Sequence, residues 1–385
     1  MSKWKQIGLG DTATFFNGYA FKPTDWSASG KEIIRIQNLT KGSSQINYFE
    51  GEIPEKYKVR KGDILISWSG SLGVYEWKGK DSWLNQHLFK VVFDKEDLNK
   101  SFFTYLISNS LKKLETQVHG ATMKHITKKK FDAFPVALPS LDQQKKIAAI
   151  LDAADAYRQK TKALIEKYDE LTQSLFLDMF GDPVRNPKGW DKKIASEYYE
   201  VRGRVGWKGY KKTDLRQQGA IVLGATHITH SGNIDLEKVV YLSNEKYVES
   251  PEIMVDFHDL IFVQRGNTIG KVALVREELG EATINPVVLI FRPIQANPFF
   301  LLYLIMNKSL NREFVNSNSG SAQPMITQKT MKEFLLIDVP LKLQNQFAER
   351  VQAIEAQKAQ AKASLAQAED LFNSLLQRAF KGELS

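Results

Sequence analysis

The 385-residue chain contains no cysteine. Disulfides, zinc–thiolate sites, iron–sulfur clusters and thiol nucleophiles are therefore excluded. No run approaches the roughly 18 uninterrupted apolar residues of a membrane-spanning helix. The opening residues, MSKWKQIGLGDTATF, lack the apolar core of a secretory signal. These absences predict a soluble, cytoplasmic protein. Disorder is excluded by the composition, 43% hydrophobic and 25% charged. The length suits two or three domains.

Glycine and proline are also missing in an informative way. The chain holds 24 Gly and 12 Pro, yet residues 141–180 and 341–380 contain neither. Both stretches carry apolar residues at alternating spacings of three and four. The first reads Ile147, Ile150/Leu151, Ala154, Tyr157, Thr161, Leu164/Ile165, Tyr168, Leu171, Leu175. The second reads Phe347, Val351, Ile354, Ala361, Leu365, Ala368, Phe372, Leu375. Such heptad-like stripes predict two long helices that pack on each other. Ile147, Leu151, Ile165, Tyr168 and Leu175 are the expected pairing residues of the first. Phe347, Val351, Ile354, Leu365, Phe372 and Leu375 are those of the second. Breakers bound each stretch: Pro139 and Gly181-Asp182-Pro183, then Pro340 and Gly382. Forty helical residues span about 60 Å.

A repeat accompanies these helices, at about 200 residues. Lys22-Pro-Thr-Asp25 returns as Lys211-Lys-Thr-Asp214, and Asp63-Ile-Leu65 as Asp259-Leu-Ile261. Asn85 returns as Asn285, Ile126-Thr127 as Ile326-Thr327, and Ser174-Leu175 as Ser374-Leu375. The order is kept, so the chain is a tandem duplication. The expected parts are a globular domain at 1–140, a helix at 141–182, a second domain at 183–340 and a helix at 341–385. Strand-like runs such as GDILISW and DLIFVQ, each unit ending in a short helix, make the domains α+β.

Net charge is +9, from 53 Lys+Arg against 44 Asp+Glu. The two helical stretches sum to zero, so the excess lies outside them. That points to an anionic partner on the globular domains. Arg202, Arg204, Lys208, Tyr210 and Lys211 mix cations, aromatics and glycine in one run; Asn17, Tyr19 and Lys22 form its counterpart. Lys124 and His125 open a second basic cluster with Lys128-Lys-Lys130. Long cations reach phosphates and guanine edges. The amides Gln37, Asn38, Gln86, Gln264 and Asn267 suit adenine. Trp68, Ser69, His227, Arg265 and Gln323 complete the candidate DNA-binding set.

Catalytic motifs fare less well. Asn297-Pro-Phe-Phe300 resembles the amine-gripping loop of amino-methyltransferases but lacks its second Pro. Asn as helix cap with Pro at the first helical position explains it. Asp63, Glu76 and Lys78 have a metal-nuclease-like spacing. The second copy keeps only Asp259, so Asp63 is expected to close a turn. Gly266–Val272 is one residue short of a phosphate loop and lacks its Ser/Thr. His227 and His230 have no convincing co-ligands and are expected at the surface. No catalytic residue and no metal site is expected.

Residues 138–183 and 339–385 resemble the central and distal conserved regions of type I restriction–modification specificity subunits. The specific parts are the Leu-x-x-Gln opening, the Ser-Leu-Leu/Phe run and the closing Phe-x-Gly. GDILISWSGSLG and DLIFVQRGNTIGKVAL resemble that family's target recognition domains. In the second region the opening is read as Leu343-Gln-Asn-Gln346, one residue short before Phe347. The resemblance implies two target recognition domains separated by an antiparallel coiled coil. Each would read one half of a bipartite, asymmetric target in double-stranded DNA. The partners it implies are methyltransferase subunits, expected as two, and motor-nuclease subunits. The chain itself would hold no cofactor; S-adenosylmethionine would sit on the methyltransferase.

Overall fold

The computed structural model describes residues 4–40, 45–116, 126–204, 210–317 and 325–384. Residues 1–161 with 364–385 form one compact unit and residues 162–363 the other. The boundary falls inside both long helices, Leu141–Phe180 and Leu341–Lys381. Each unit therefore holds one globular half and opposite ends of the two helices, antiparallel.

The strands of the first unit are β1 (Lys5–Gly8), β2 (Thr14–Asn17), β3 (Lys31–Ile34), β4 (Asn47–Phe49), β5 (Lys58–Val59), β6 (Ile64–Ser67), β7 (Gly73–Glu76), β8 (Ser82–Leu84), β9 (Leu88–Val92) and β10 (Pro135–Leu138). They form a ribbon, β1-β10, and two four-stranded sheets, β2-β9-β6-β7 and β4-β3-β8-β5. All pairs are antiparallel except β3 with β8.

The second unit repeats this plan. Its strands are β11 (Lys192–Ile194), β12 (Tyr199–Arg202), β13 (Leu215–Arg216), β14 (Ala220–Leu223), β15 (Val240–Leu242), β16 (Leu260–Val263), β17 (Val272–Leu274), β18 (Ala282–Ile284), β19 (Val288–Pro293) and β20 (Leu335–Ile337). The ribbon is β11-β20, and the sheets are β12-β19-β16-β17 and β13-β15-β14-β18. Here β14 and β18 are the parallel pair. The two units differ at both edges of this sheet: β5 flanks β8 where β18 is itself an edge, and β13 flanks β15 where β4 is itself an edge.

Strand side chains alternate faces, and β6 and β16 use both. Ile64 and Ile66 join the core under the helix Lys100–Thr116, while Leu65 enters a second core with Ile34 and Leu84. Likewise Leu260 and Phe262 face one core, and Ile261 and Val263 the other. Burial on both faces is why these strands read as unbroken apolar runs. The repeated motifs keep equivalent bonds. Asp63 closes its turn on the Arg60 amide at 2.8 Å, and Asp259 on the Asp256 amide at 2.7 Å. Thr127 and Thr327 cap the short helices that follow them.

The long helices join these cores. Ile147 and Leu151 share a core with Phe372 and Leu376 in the first unit. Phe176, Phe180, Phe300 and Phe347 form an aromatic knot in the second, with centroids 5.1–6.1 Å apart. Ile165, Tyr168, Leu175, Ile354, Leu365 and Leu375 are half-buried. The apolar stripe of the first helix is wider than one seam and splits. Ile150, Tyr157, Leu164 and Leu171 lie in an exposed row, 40–54% accessible. Thr161 and Thr172 are buried instead.

Both helices begin on a buried glutamine. Gln144 Nε2 donates to the carbonyls of Asp97 (3.1 Å) and Pro139 (3.0 Å). Its Oε1 accepts from the Asn99 amide at 2.9 Å. Asn99 in turn caps the helix Lys100–Thr116 through the Phe102 amide. Gln344 repeats this, donating to Val339 O (2.8 Å) and accepting from the Asn297 amide (2.9 Å). Asn297 caps Pro298–Met306. The second opening is therefore Leu341-x-x-Gln344, in register with Leu141-x-x-Gln144, and not Leu343-Gln-Asn-Gln346. The Leu-x-x-Gln pattern occurs at both registers' first residue, and burial of the glutamine selects the right one. Gln144→Leu would strand one amide and two carbonyls in the interior. A loss of about 2–3 kcal/mol is expected in urea unfolding followed by circular dichroism. A loss well under 1 kcal/mol would contradict this account of the junction.

Candidate nucleic-acid interface

In the first unit, the loops that leave the carboxyl ends of the parallel strands β3 and β8 line one cleft of about 350 Å3. Such ends are where open sheets commonly bind ligands. Gln37 and Gln86 lie there, joined by residues that sequence reasoning left aside: Trp26, Arg35 and His87. Trp26 is exposed, and the Arg35 guanidinium lies 5.3 Å from its ring centroid. Arg35 Nη1 also donates to Asn47 Oδ1 at 3.1 Å. Asn38 is not free to read anything. Its Oδ1 accepts from the Arg35 amide at 2.9 Å and its Nδ2 donates to Gln45 O at 3.3 Å.

The second unit has the same frame. Asn285 N donates to Leu223 O as Asn85 N donates to Ile34 O. His227 stands where Asn38 stands, and its Nδ1 accepts from the Gly224 amide at 2.9 Å. Its Nε2 lies 3.1 Å from Lys238 O, so Nε2 carries the proton. His227 is thus buried with both nitrogens engaged, not at the surface. The frame residues match, and the outward residues do not. Arg35, Gln37 and Gln86 are replaced by Gly224, Thr226 and Pro286 at the equivalent positions of the second unit.

The other candidates divide into engaged and open groups. Arg202 forks onto Glu200 at 2.9 and 2.7 Å. Arg204 is half-buried beside the Tyr210 ring, 5.4 Å to its centroid. Burial lowers the Arg204 pKa and raises that of Tyr210. Gln264 Nε2 donates to Pro286 O at 2.9 Å. Tyr19 packs on Phe21 and Tyr57 in a small core. Trp68 stacks on Phe89, and Ser69 is buried. Asn17, Lys22, Lys211, Arg265 and Asn267 are exposed. Lys22 and Lys211 begin matching 3-10 turns, each amide donating to the Asp three residues on. Lys124, His125, Lys208 and Gln323 lie outside the described residues.

Nuclease chemistry finds no assembled site in Asp63, Glu76 and Lys78. Asp63 pairs with Lys90 at 3.0 Å and Glu76 with Lys100 at 2.6 Å. Asp259 is buried and held by Arg292 through two bonds of 2.9 and 2.7 Å. Among the described residues no group of three His, Asp or Glu gathers as a metal site. No helix among them is long and apolar enough to cross a membrane.

Two copies of one α+β fold, borne on paired helices and differing in their outward polar residues, define a paired recognition scaffold. The family model described as "Type I restriction modification DNA specificity domain" matches residues 1–168 and 190–369. The chain belongs to this family. The specificity subunit of the type I restriction enzyme EcoBI from Escherichia coli is 24% identical, over 99% of this chain and 86% of its own. The MjaVIII specificity subunit from Methanocaldococcus jannaschii is 23% identical, over 77% and 73%. Among solved structures, the S subunit from M. genitalium superposes with a TM-score of 0.56 at 15% identity, covering 98% of this chain and 96% of that one. A chain from a structure of type I R-M complex assembly and conformational transition gives 0.61 at 15% identity, covering 99% and 98%.

The cleft depends on a close backbone approach. A Cβ on Gly18 would lie 2.2 Å from Asn85 O and 2.5 Å from Leu84 O. Gly18→Ala must push β2 off β8, at a cost of about 1–3 kcal/mol. Calorimetry should show a lower Tm; an unchanged Tm would mean that the approach is not tight.

Proposed function

We propose that this specificity subunit is the DNA-reading component of a type I restriction–modification complex and works in the cytoplasm. Each globular half reads one half of a bipartite, asymmetric target in double-stranded DNA. The paired helices set the gap between the halves and dock methyltransferase subunits. Motor-nuclease subunits join for cleavage. Methyl transfer and cutting belong to those partners, and S-adenosylmethionine binds the methyltransferase.

One observation carries this reading: a shared frame with different residues at its reading positions. Asn38 and His227 make the same bond to the backbone, as do Asn85 and Asn285. Arg35, Gln37 and Gln86 against Gly224, Thr226 and Pro286 would select different bases. The exposed row Ile150, Tyr157, Leu164 and Leu171, seven residues apart on the first long helix, suits a partner helix.

Modularity gives the first test. Cells co-expressing the chain with its methyltransferase should carry methylated adenines in a gapped motif. Replacing residues 1–140 by those of a related chain should change one half of that motif only. A change in both halves, or in neither, rejects two independent readers.

The spacer gives the second. One added heptad after Glu166 and one after Gln357 preserve the seam and lengthen the pair by about 10.5 Å. That equals roughly 3 base pairs, with a groove rotation of roughly 100°. The methylated gap should lengthen by about 3 base pairs, or specific binding should be lost in a folded protein. Methylation at the original gap with original efficiency would remove the helices as the ruler.

A further inference from the structure

We infer that the cleft at the carboxyl ends of β3 and β8 takes the major-groove edge of a G·C pair, with Arg35 donating to guanine O6 and N7. This rests on the function proposed above and names the base and its reader within the first unit.

Few side chains in the cleft are free to bind a base. Asn38 is consumed by the turn itself, and the Asn85 carbonyl oxygen of the side chain accepts from the His87 amide at 3.4 Å. Gln37 and Gln86 have no hydrogen bond shorter than the 3.5 Å contact between Gln86 and His87 among the described residues. Arg35 uses Nη1 alone, on Asn47. The remaining N–H groups of its guanidinium have no hydrogen-bond partner among the described residues.

The second element is preorganisation. Trp26 below the guanidinium and Asn47 at one corner hold a side chain that would otherwise lose several rotatable bonds' worth of freedom on binding. A planar fork held this way matches two acceptors on one base edge, and guanine offers such a pair in the major groove. The neighbours favour a base over a phosphate. Two neutral amides, Gln37 and Gln86, share the cleft with Arg35. Lys22, which could serve the backbone, is exposed and does not line it. In the second unit Gly224 stands at the Arg35 position, so the same reader is absent from that half.

The test uses the whole complex in cells, with methylated adenines mapped across the genome. Arg35→Lys keeps the charge and the aromatic contact but removes the fork. In the half read by the first unit, one G·C position should become degenerate. Discrimination there should fall about ten- to hundredfold. The other half should stay unchanged. Arg35→Ala should give the same degeneracy, with folding checked by Tm. Four outcomes overturn the inference: an unchanged motif with Arg35→Lys, degeneracy at an A·T position, degeneracy in the other half, or a uniform loss of binding with a salt slope lower by about one, which marks a phosphate contact. A wild-type complex that yields no gapped motif rejects the proposed function itself, and this inference with it.

Discussion

Gln144 and Gln344 impose the constraint on which the rest depends. Each lies in the first turn of a long helix, almost fully buried. Each binds the loop before that helix and the capping asparagine of the domain's own helix. A buried amide with its partners in place stabilises modestly, but one with its partners lost is costly. Within each unit the domain can therefore take only the orientation on its helix that satisfies the glutamine. Hydrophobic contacts alone, being non-directional, would tolerate small rotations. The aromatic knot of Phe176, Phe180, Phe300 and Phe347 then adds packing to an orientation already chosen.

Duplication separates two kinds of residue that look alike in sequence. Asn38 and His227 differ chemically, yet both accept a bond from the backbone amide three residues before them. Their side chains serve the turn. Arg35 and Gly224 also differ: the first frame leaves the Arg35 side chain open, whereas a Cβ on buried Gly224 would lie 2.3 Å from Asn285 Nδ2, so the second frame admits no side chain there. Comparing two copies inside one molecule thus marks what the fold needs and what it leaves open. A similar comparison explains His258, which sits at φ 69° where the first copy has Gly62 at φ 94°. Both amides donate across the same turn, to Val275 and Trp77. The left-handed backbone is a property of the turn, and glycine meets it with less strain than histidine.

Much of the fold was legible. Two stretches free of Gly and Pro became helices of 40 and 41 residues, and the ordered matches became equivalent turns and caps. What escaped was local. The apolar stripe of the first helix held two rows, and spacing alone does not say which faces solvent. Residue type points to candidate DNA contacts but does not show whether a side chain is already engaged. One signal was available for Arg202: Glu200 lies two residues away on the same strand face, within reach of an ion pair. For Gln37 and Asn38, adjacent amides with opposite fates, no such signal exists. Arg35 gains its setting from Trp26 and Asn47, which only the folded sheet brings near.

The first unit is assembled from distant parts of the chain. Residues 364–384 complete the core around Ile147 and Leu151, with Phe372, Leu376 and Ala379 as their packing partners. On a ribosome, those partners emerge only after the whole of the second unit has been made. Until then the apolar seam of residues 141–161 has no helix to cover it. The second unit is continuous in sequence and carries its own pair of helix ends from the start. The domain synthesised first is consequently the one that finishes folding last, and the nascent chain must keep an uncovered helix face in solution meanwhile.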